Sequence, residues 1–411
     1  MDDVHLALAR FGLGPRPGDR AAVASDPRGY VLSQCDASGA ALLAAENLQP
    51  TEALIPAFFE ARRKRRLALL AREAAAKAQK AVGAIFSGDA VDATTMEVGT
   101  MAAGTGTMQA APADADGMDA GMEADMADAG MEGGKPRRRD RKDAAPEAPA
   151  AAKFAAGVMF AETEARYARA LSTETPLVER LVMFWSNHFC ISGDKGGLVR
   201  VIAGAYEREA IRPHVLGRFR DMLGAATTHA AMLTYLDNVR SVGPNSRRAD
   251  RKRGGLNENL ARELLELHTL GVDGGYTQVD VGQLALVLTG WTVDRSGEGS
   301  ASVFREAFHE PGAFTVLGKT YAETGAGQLQ AVLDDLARHP ATARHVARKL
   351  VRHFVADVPP PGLEDAVAQA FRDSDGDLAA TTRALVAADA AWQPPPIKAR
   401  SPYELCVAAQ R

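Results

Sequence analysis

The segment "NENLARELLELHTLG", Asn257 to Gly271, gathers Glu258, Arg262, Glu263, Glu266 and His268 within three helical turns. At about 100° per residue, Glu258, Arg262, Glu266 and Thr269 share one arc. Glutamates four residues to either side of Arg262 suit an alternating ion-pair ladder, worth about 0.3–0.5 kcal/mol per pair on an open surface. Leu260, Ala261, Leu264 and Leu267 form the opposite, core-facing arc, and His268 falls with them. The charged arc is then either a solvated face or one wall of a polar site. Leu265 in its middle, the amides of Asn257 and Asn259 flanking Glu258, and the glycines of "HTLGVDGGYT" favour a covered wall.

Two histidines could complete such a site. His188, in "FWSNHFC" beside Asn187, lies among aromatic residues and is either a hydrogen-bonded core histidine or a metal ligand or general base. His309, in "REAFHEPG", falls on a loop before a Gly/Pro turn, where side chains are readily presented. Asp237 and Asn238 end "MLTYLDN" as a helix-terminal network or a third wall. If His188, His309 and Glu263 or Glu266 converge, they form a two-His, one-carboxylate site suited to a divalent metal such as Fe(II), Mn(II) or Zn(II). Arg262 would hold the carboxylates or an anionic substrate group. In the alternative, Asn187, Asp237, Asn238, Asn257, Glu258 and Asn259 are a structural polar network within a non-catalytic scaffold.

Other motifs carry less. In "ELLELH" the glutamate precedes the histidine by two residues, so no HExxH zinc helix exists. "DSDGDL" lacks the distal glutamate of a calcium loop, and Asp377 reads better as a helix N-cap. "RHVARKLVRHF" sets Arg344, Arg348 and Arg352 at i, i+4, i+8 with Lys349 beside them, a stripe expected to be solvated. No GxGxxG, P-loop or GxSxG is present.

The elements that must position these groups read as helices, because leucine and alanine dominate and β-branched runs are scarce. Helices are expected over Thr51–Phe86, with a strongly basic middle, and after Thr175–Pro176 as N-cap and first turn. Thr277 and Asp280 form a capping-box start, and extended pieces are expected only within Ser302–Gly318. Between the helical parts, 1–86 and 153–411, residues 87–152 are rich in Ala, Gly, Asp, Met and Pro. Such a stretch cannot bury enough apolar surface to offset its ordering entropy, so a disordered insertion between two long helices is expected. Its seven methionines, Met96 to Met131, are soft ligands for Cu(I), but irregular spacing without His or Cys makes it a linker. The expectation is one large, mainly α-helical domain.

A formal net charge of -4 over 411 residues offers no electrostatic footprint for nucleic acid or a membrane surface. Cys35, Cys190 and Cys406 lie far apart without CxxC spacing, which suggests neither a disulfide framework nor a cysteine zinc site. The acidic start carries no signal segment and no apolar run spans a bilayer, so as written the chain reads as cytoplasmic, and as exported if its start is mis-assigned.

The motifs "RFGLGP", "FWSNHF", "YEREAIRPHVLGRFRDML", "AMLTYLDN", "LNENLARELLELHTLGVDGGYTQVDV", "LTGW", "VLGKTY", "HPATARHVARKLVRHFVAD" and "KARSPYELCV" occur in this order. Together they resemble the bacterial family called domain of unknown function 1800. That resemblance implies no established activity. It does imply a partner, a co-encoded secreted protein similar to phosphatases and sulfatases. It also implies an export signal and a further Gly-Trp-Pro motif, neither of which this sequence has, so a C-terminal piece of the fold is expected to be missing.

Overall fold

The computed structural model describes residues 2–86, 150–249, 255–297, 299–322, 325–393 and 398–411. The low-complexity stretch 87–152 lies outside them, apart from 150–152, which begin a helix. The helices are α1 (Asp3–His5), α2 (Asp19–Val23), α3 (Pro27–Ser33), α4 (Thr51–Phe86), α5 (Ala150–Ser172), α6 (Pro176–His188), α7 (Gly197–Tyr206) and α8 (Phe219–Thr228). There follow α9 (Ala230–Tyr235), α10 (Asn259–Glu263), α11 (Gln278–Leu288), α12 (Ala326–Arg338), α13 (Pro340–Phe354), α14 (Leu363–Asp373), α15 (Leu378–Ala387) and α16 (Pro402–Gln410). The protein is mainly α-helical, as its sequence leads one to expect.

Two compact units emerge, one of Met1–Phe58 with Phe154–Arg411, the other of Phe59–Lys153. In the second, the Glu60 carboxylate pairs with Lys64 one turn on at 2.6 Å, and Leu67 and Leu70 are exposed. The first holds the core and every group discussed below. Its aromatic centre includes Trp185, Phe189, Phe219 and Phe371, all essentially buried. Phe11 stacks near Phe354 and Trp392, which ties the first residues of the chain to α13.

Local signals set several boundaries. Thr277 and Asp280 form the expected capping box, and Asp377 caps α15 by accepting from the Ala380 N–H at 2.7 Å. Thr175 precedes Pro176 as expected, but its hydroxyl does not cap α6; Gln34 Oε1 accepts the Leu177 N–H instead, at 2.9 Å. The extended structure is wider than its sequence suggests. Strand β1 (Trp291–Val293) pairs antiparallel with β2 (Ser302–Phe304), and β3 (Phe314–Val316) with β4 (Lys319–Tyr321). β1 and β4 fall outside the expected window because two short hairpins need partners that no run of β-branched residues marks.

Candidate functional site

The opening helix changes character half-way. After Glu263 it becomes a π-helical turn, Leu264–Thr269, closed by the Leu270 N–H donating to the Leu265 carbonyl at 2.9 Å. The extra residue in that turn rotates everything after it relative to an α-helix. Leu265, expected among the charged groups, is therefore fully buried, whereas Leu267, expected in the core, is 43% exposed. Leu260, Ala261, Leu264 and His268 are buried as expected.

The ladder is shorter than its spacing implies, and it is open to solvent. Arg262 donates to Glu258 at 3.2 Å and to Gln278 at 2.7 Å, while Gln278 donates to Glu258 at 2.7 Å. Glu266 has left this face and accepts from the Tyr276 hydroxyl at 3.3 Å. Glu263 is half-buried, its carboxyl held above the usual range by burial and by the charge of Glu266. Asn257 and Asn259 serve the start of α10, where Asn257 Oδ1 accepts the Asn259 N–H at 2.9 Å. This helix face is a solvated, self-paired surface.

The remaining sequence candidates lie apart in chemistry. His309 is buried, not on an open loop; its Nδ1 donates to the Thr289 carbonyl at 2.9 Å and its ring packs on Phe304. Asn238 is buried and donates to the carbonyls of Leu288 and Trp291, so it ties α9 to β1. Asp237 takes a left-handed conformation (φ 58°) and pairs with Lys195, and Asn187 is exposed. Among the described residues, no three or more His, Cys, Asp or Glu side chains are grouped to hold a metal ion, so His188, His309 and Glu263 do not form the expected ligand set.

His188 instead belongs to a different constellation. Helix α6 presents Arg180, Phe184 and His188, and α13 presents His345, Lys349 and His353, each at i, i+4, i+8. These faces meet: Phe184 lies 5.4 Å from His353 between ring centroids, His188 lies 6.0 Å from His345, and Arg180 Nη2 is 3.5 Å from His353 Nε2. The π turn adds His268, 6.2 Å from His188. Arg344, Arg348 and Arg352 form the exposed basic stripe expected of them, and the chemically loaded stripe is the neighbouring one. The two stripes differ by a single residue step, which is why the charge run draws attention to the wrong face.

Carbonyl partners fix the imidazole tautomers. His188 Nε2 lies 3.0 Å from the His268 carbonyl, and His345 Nε2 lies 3.0 Å from the Leu267 carbonyl. A carbonyl only accepts, so both Nε2 atoms carry the proton and both Nδ1 atoms are bare in the neutral ring. His188 Nδ1 and His268 Nδ1 are buried without a hydrogen-bond partner among the described residues. Gly271 (φ +86°) closes over His345, and a Cβ there would stand 2.8 Å from its Nδ1.

Electrostatics keeps this cluster neutral except at one atom. Burial, then the charge of Lys349, pushes the His188 imidazole well below its ordinary value; the same causes bring His268 down to about 3 and lower His345. Burial alone brings the Lys349 ammonium down to about 8. Unlike Lys195, Lys319 and Lys398, each on an aspartate, Lys349 has no carboxylate or hydrogen-bond partner among the described residues. A half-buried amine brought down to about 8 is neutral more often than an exposed lysine and can act as a nucleophile.

Residues 6–411 match the family described as "Protein of unknown function (DUF1800)". The chain belongs to this family. No curated protein and no solved structure matches it. The DUF1800 match takes in every residue of the seam between α6 and α13.

The buried Glu–Arg–Glu arrangement sought in the opening helix occurs elsewhere. Arg212, on the turn after α7, is fully buried and donates to both oxygens of Glu179 at 2.9 and 3.1 Å, to Glu207 at 3.0 Å and to the Ala41 carbonyl at 2.8 Å. Every guanidinium nitrogen is used, so this network locks α6 to its neighbours. A surface pocket of about 230 Å³ lies elsewhere again, lined by Arg218, Arg220, Asp221, Asp334, Arg338 and Asp375. Its arginines are neutralised by its own aspartates, and it includes none of the seam residues.

Proposed function

We propose that this chain is an enzyme whose reacting group is the Lys349 amine, with the neutral imidazoles of His188, His268 and His345 as its uncharged surroundings. The observation that carries this reading is the amine itself, partly removed from water with no carboxylate among the described residues to hold it charged. A partly desolvated amine with no acid to hold it charged is deprotonated more readily than an exposed lysine, and the neutral amine is the nucleophilic form. The π turn that supplies His268 is a second support, because such insertions recur at functional sites.

Trace labelling of the full chain with an amine reagent across pH 6–11, read lysine by lysine by mass spectrometry, tests this reading. Lys349 is expected to gain reactivity with a midpoint near pH 8, well below that of the exposed lysines. A midpoint shared with Lys195 and Lys319 overturns it. The second reading is a helical scaffold that pairs with the phosphatase- or sulfatase-like protein implied by the resemblance. The self-paired Glu258–Arg262–Gln278 surface and the fully satisfied Arg212 network support it.

A further inference from the structure

One turn from Lys349 along α13, the seam ends in a cluster of guanidinium groups. Arg180 is buried; its Nη1 reaches the carbonyls of Ala9 at 3.4 Å and Gly12 at 3.3 Å, and its Nη2 lies 3.2 Å from Glu404 Oε1. Arg400, half-buried, donates from Nη2 to the same Ala9 carbonyl at 2.8 Å. The two guanidiniums thus share one acceptor, and burial, helped by the positive charge of Arg400, lowers the Arg180 value. Arg180 Nε and Arg400 Nη1 are buried N–H donors with no acceptor among the described residues. Among the described residues Glu404 is the carboxylate in contact, and its other oxygen accepts the Ser401 N–H at 2.9 Å. His353 completes the cluster and is held neutral by burial and by Arg180.

Two guanidiniums against one carboxylate leave a net positive charge in a region largely shielded from water. Arginine N–H groups in such a setting are matched by the oxygens of a phosphate or carboxylate. We infer that Arg180, Arg400 and His353 form a subsite for a small oxyanion group, and that the substrate carries such a group within about one helical turn of the atom that meets Lys349. This inference rests on the proposed role of Lys349 for its second half only; the oxyanion subsite stands on its own geometry.

Titration calorimetry at fixed pH and ionic strength, with inorganic phosphate and with acetate in separate arms, tests it on the full chain. The wild-type chain is expected to bind at least one of the two saturably, and the arm that binds names the group. Arg400→Gln is expected to weaken that binding at least tenfold, while the exposed Arg262→Gln leaves it unchanged; circular dichroism confirms that both are folded. No saturable binding of either anion, or equal binding by wild type and a folded Arg400→Gln, overturns the subsite. Trace labelling of Lys349 reports separately, so loss of the subsite with a Lys349 midpoint near pH 8 leaves the reactive-amine reading standing.

Discussion

Replacing Lys349 by methionine is expected to stabilise the protein at pH 7, the opposite of what deleting a side chain from a packed seam normally does. The reasoning is linkage. The ammonium value falls from its ordinary 10.5 to about 8 in the fold because burial penalises the charge. At about 1.4 kcal/mol per pH unit, that penalty amounts to about 3 kcal/mol, an upper bound because Lys349 keeps some contact with water. Below pH 8 both folded and unfolded chains carry the proton and the penalty is constant. Between pH 8 and 10.5 the unfolded chain binds more protons, so wild-type stability climbs with pH. Above 10.5 the amine is neutral in both states and the penalty vanishes. Methionine has a comparable length and no charge, so Lys349→Met is expected to gain about 1–3 kcal/mol at pH 7 and almost nothing at pH 11. Urea unfolding at the two pH values measures the difference. A variant less stable than wild type at pH 7, or an effect equal at both pH values, refutes an unpaired, desolvated ammonium.

Two further outcomes follow from the same energetics. Arg212→Met leaves Glu179 buried without its bidentate partner and is expected to cost about 3–5 kcal/mol, whereas Arg262→Gln, on the open ladder, should cost less than about 0.5 kcal/mol; similar urea midpoints for the two would contradict the assignment of one network to the core and the other to the surface. His188, His268, His345 and His353 all have folded values below 6.5. The unfolded chain therefore binds more protons as pH drops from 6.5 toward 4.5, and His188, His268 and His353, the three held well below, each remove up to about 1.4 kcal/mol per pH unit in that window, with His345 adding in the same direction. A stability that stays flat between pH 7 and 5 would show that these rings are not held neutral.

Much of this protein was legible as sequence because the relevant signals are local. The 36-residue helix Thr51–Phe86 follows from a stretch dominated by Ala, Leu, Arg, Lys and Glu that carries the helix past Pro56, and the Thr277–Asp280 box and the Asp377 cap need only residues three positions apart. Family membership was legible too, since it rests on the order of motifs along the chain. His188 stands out in the sequence, and its neighbours were within reach: the spacing His345, Lys349, His353 could be read beside the more conspicuous arginine stripe. What tertiary structure alone decided was phase and proximity. A π turn at Leu264–Thr269 exchanges the fates of Leu265 and Leu267 and removes Glu266 from its ladder, and a 3.6-residue period cannot anticipate it. Whether a lysine meets an acid is also invisible in one dimension, because the acid comes from another element, 42 residues on for Lys195 and 16 for Lys319. Burial without a counter-ion makes Lys349 chemically distinct from every lysine that the same sequence places on an aspartate.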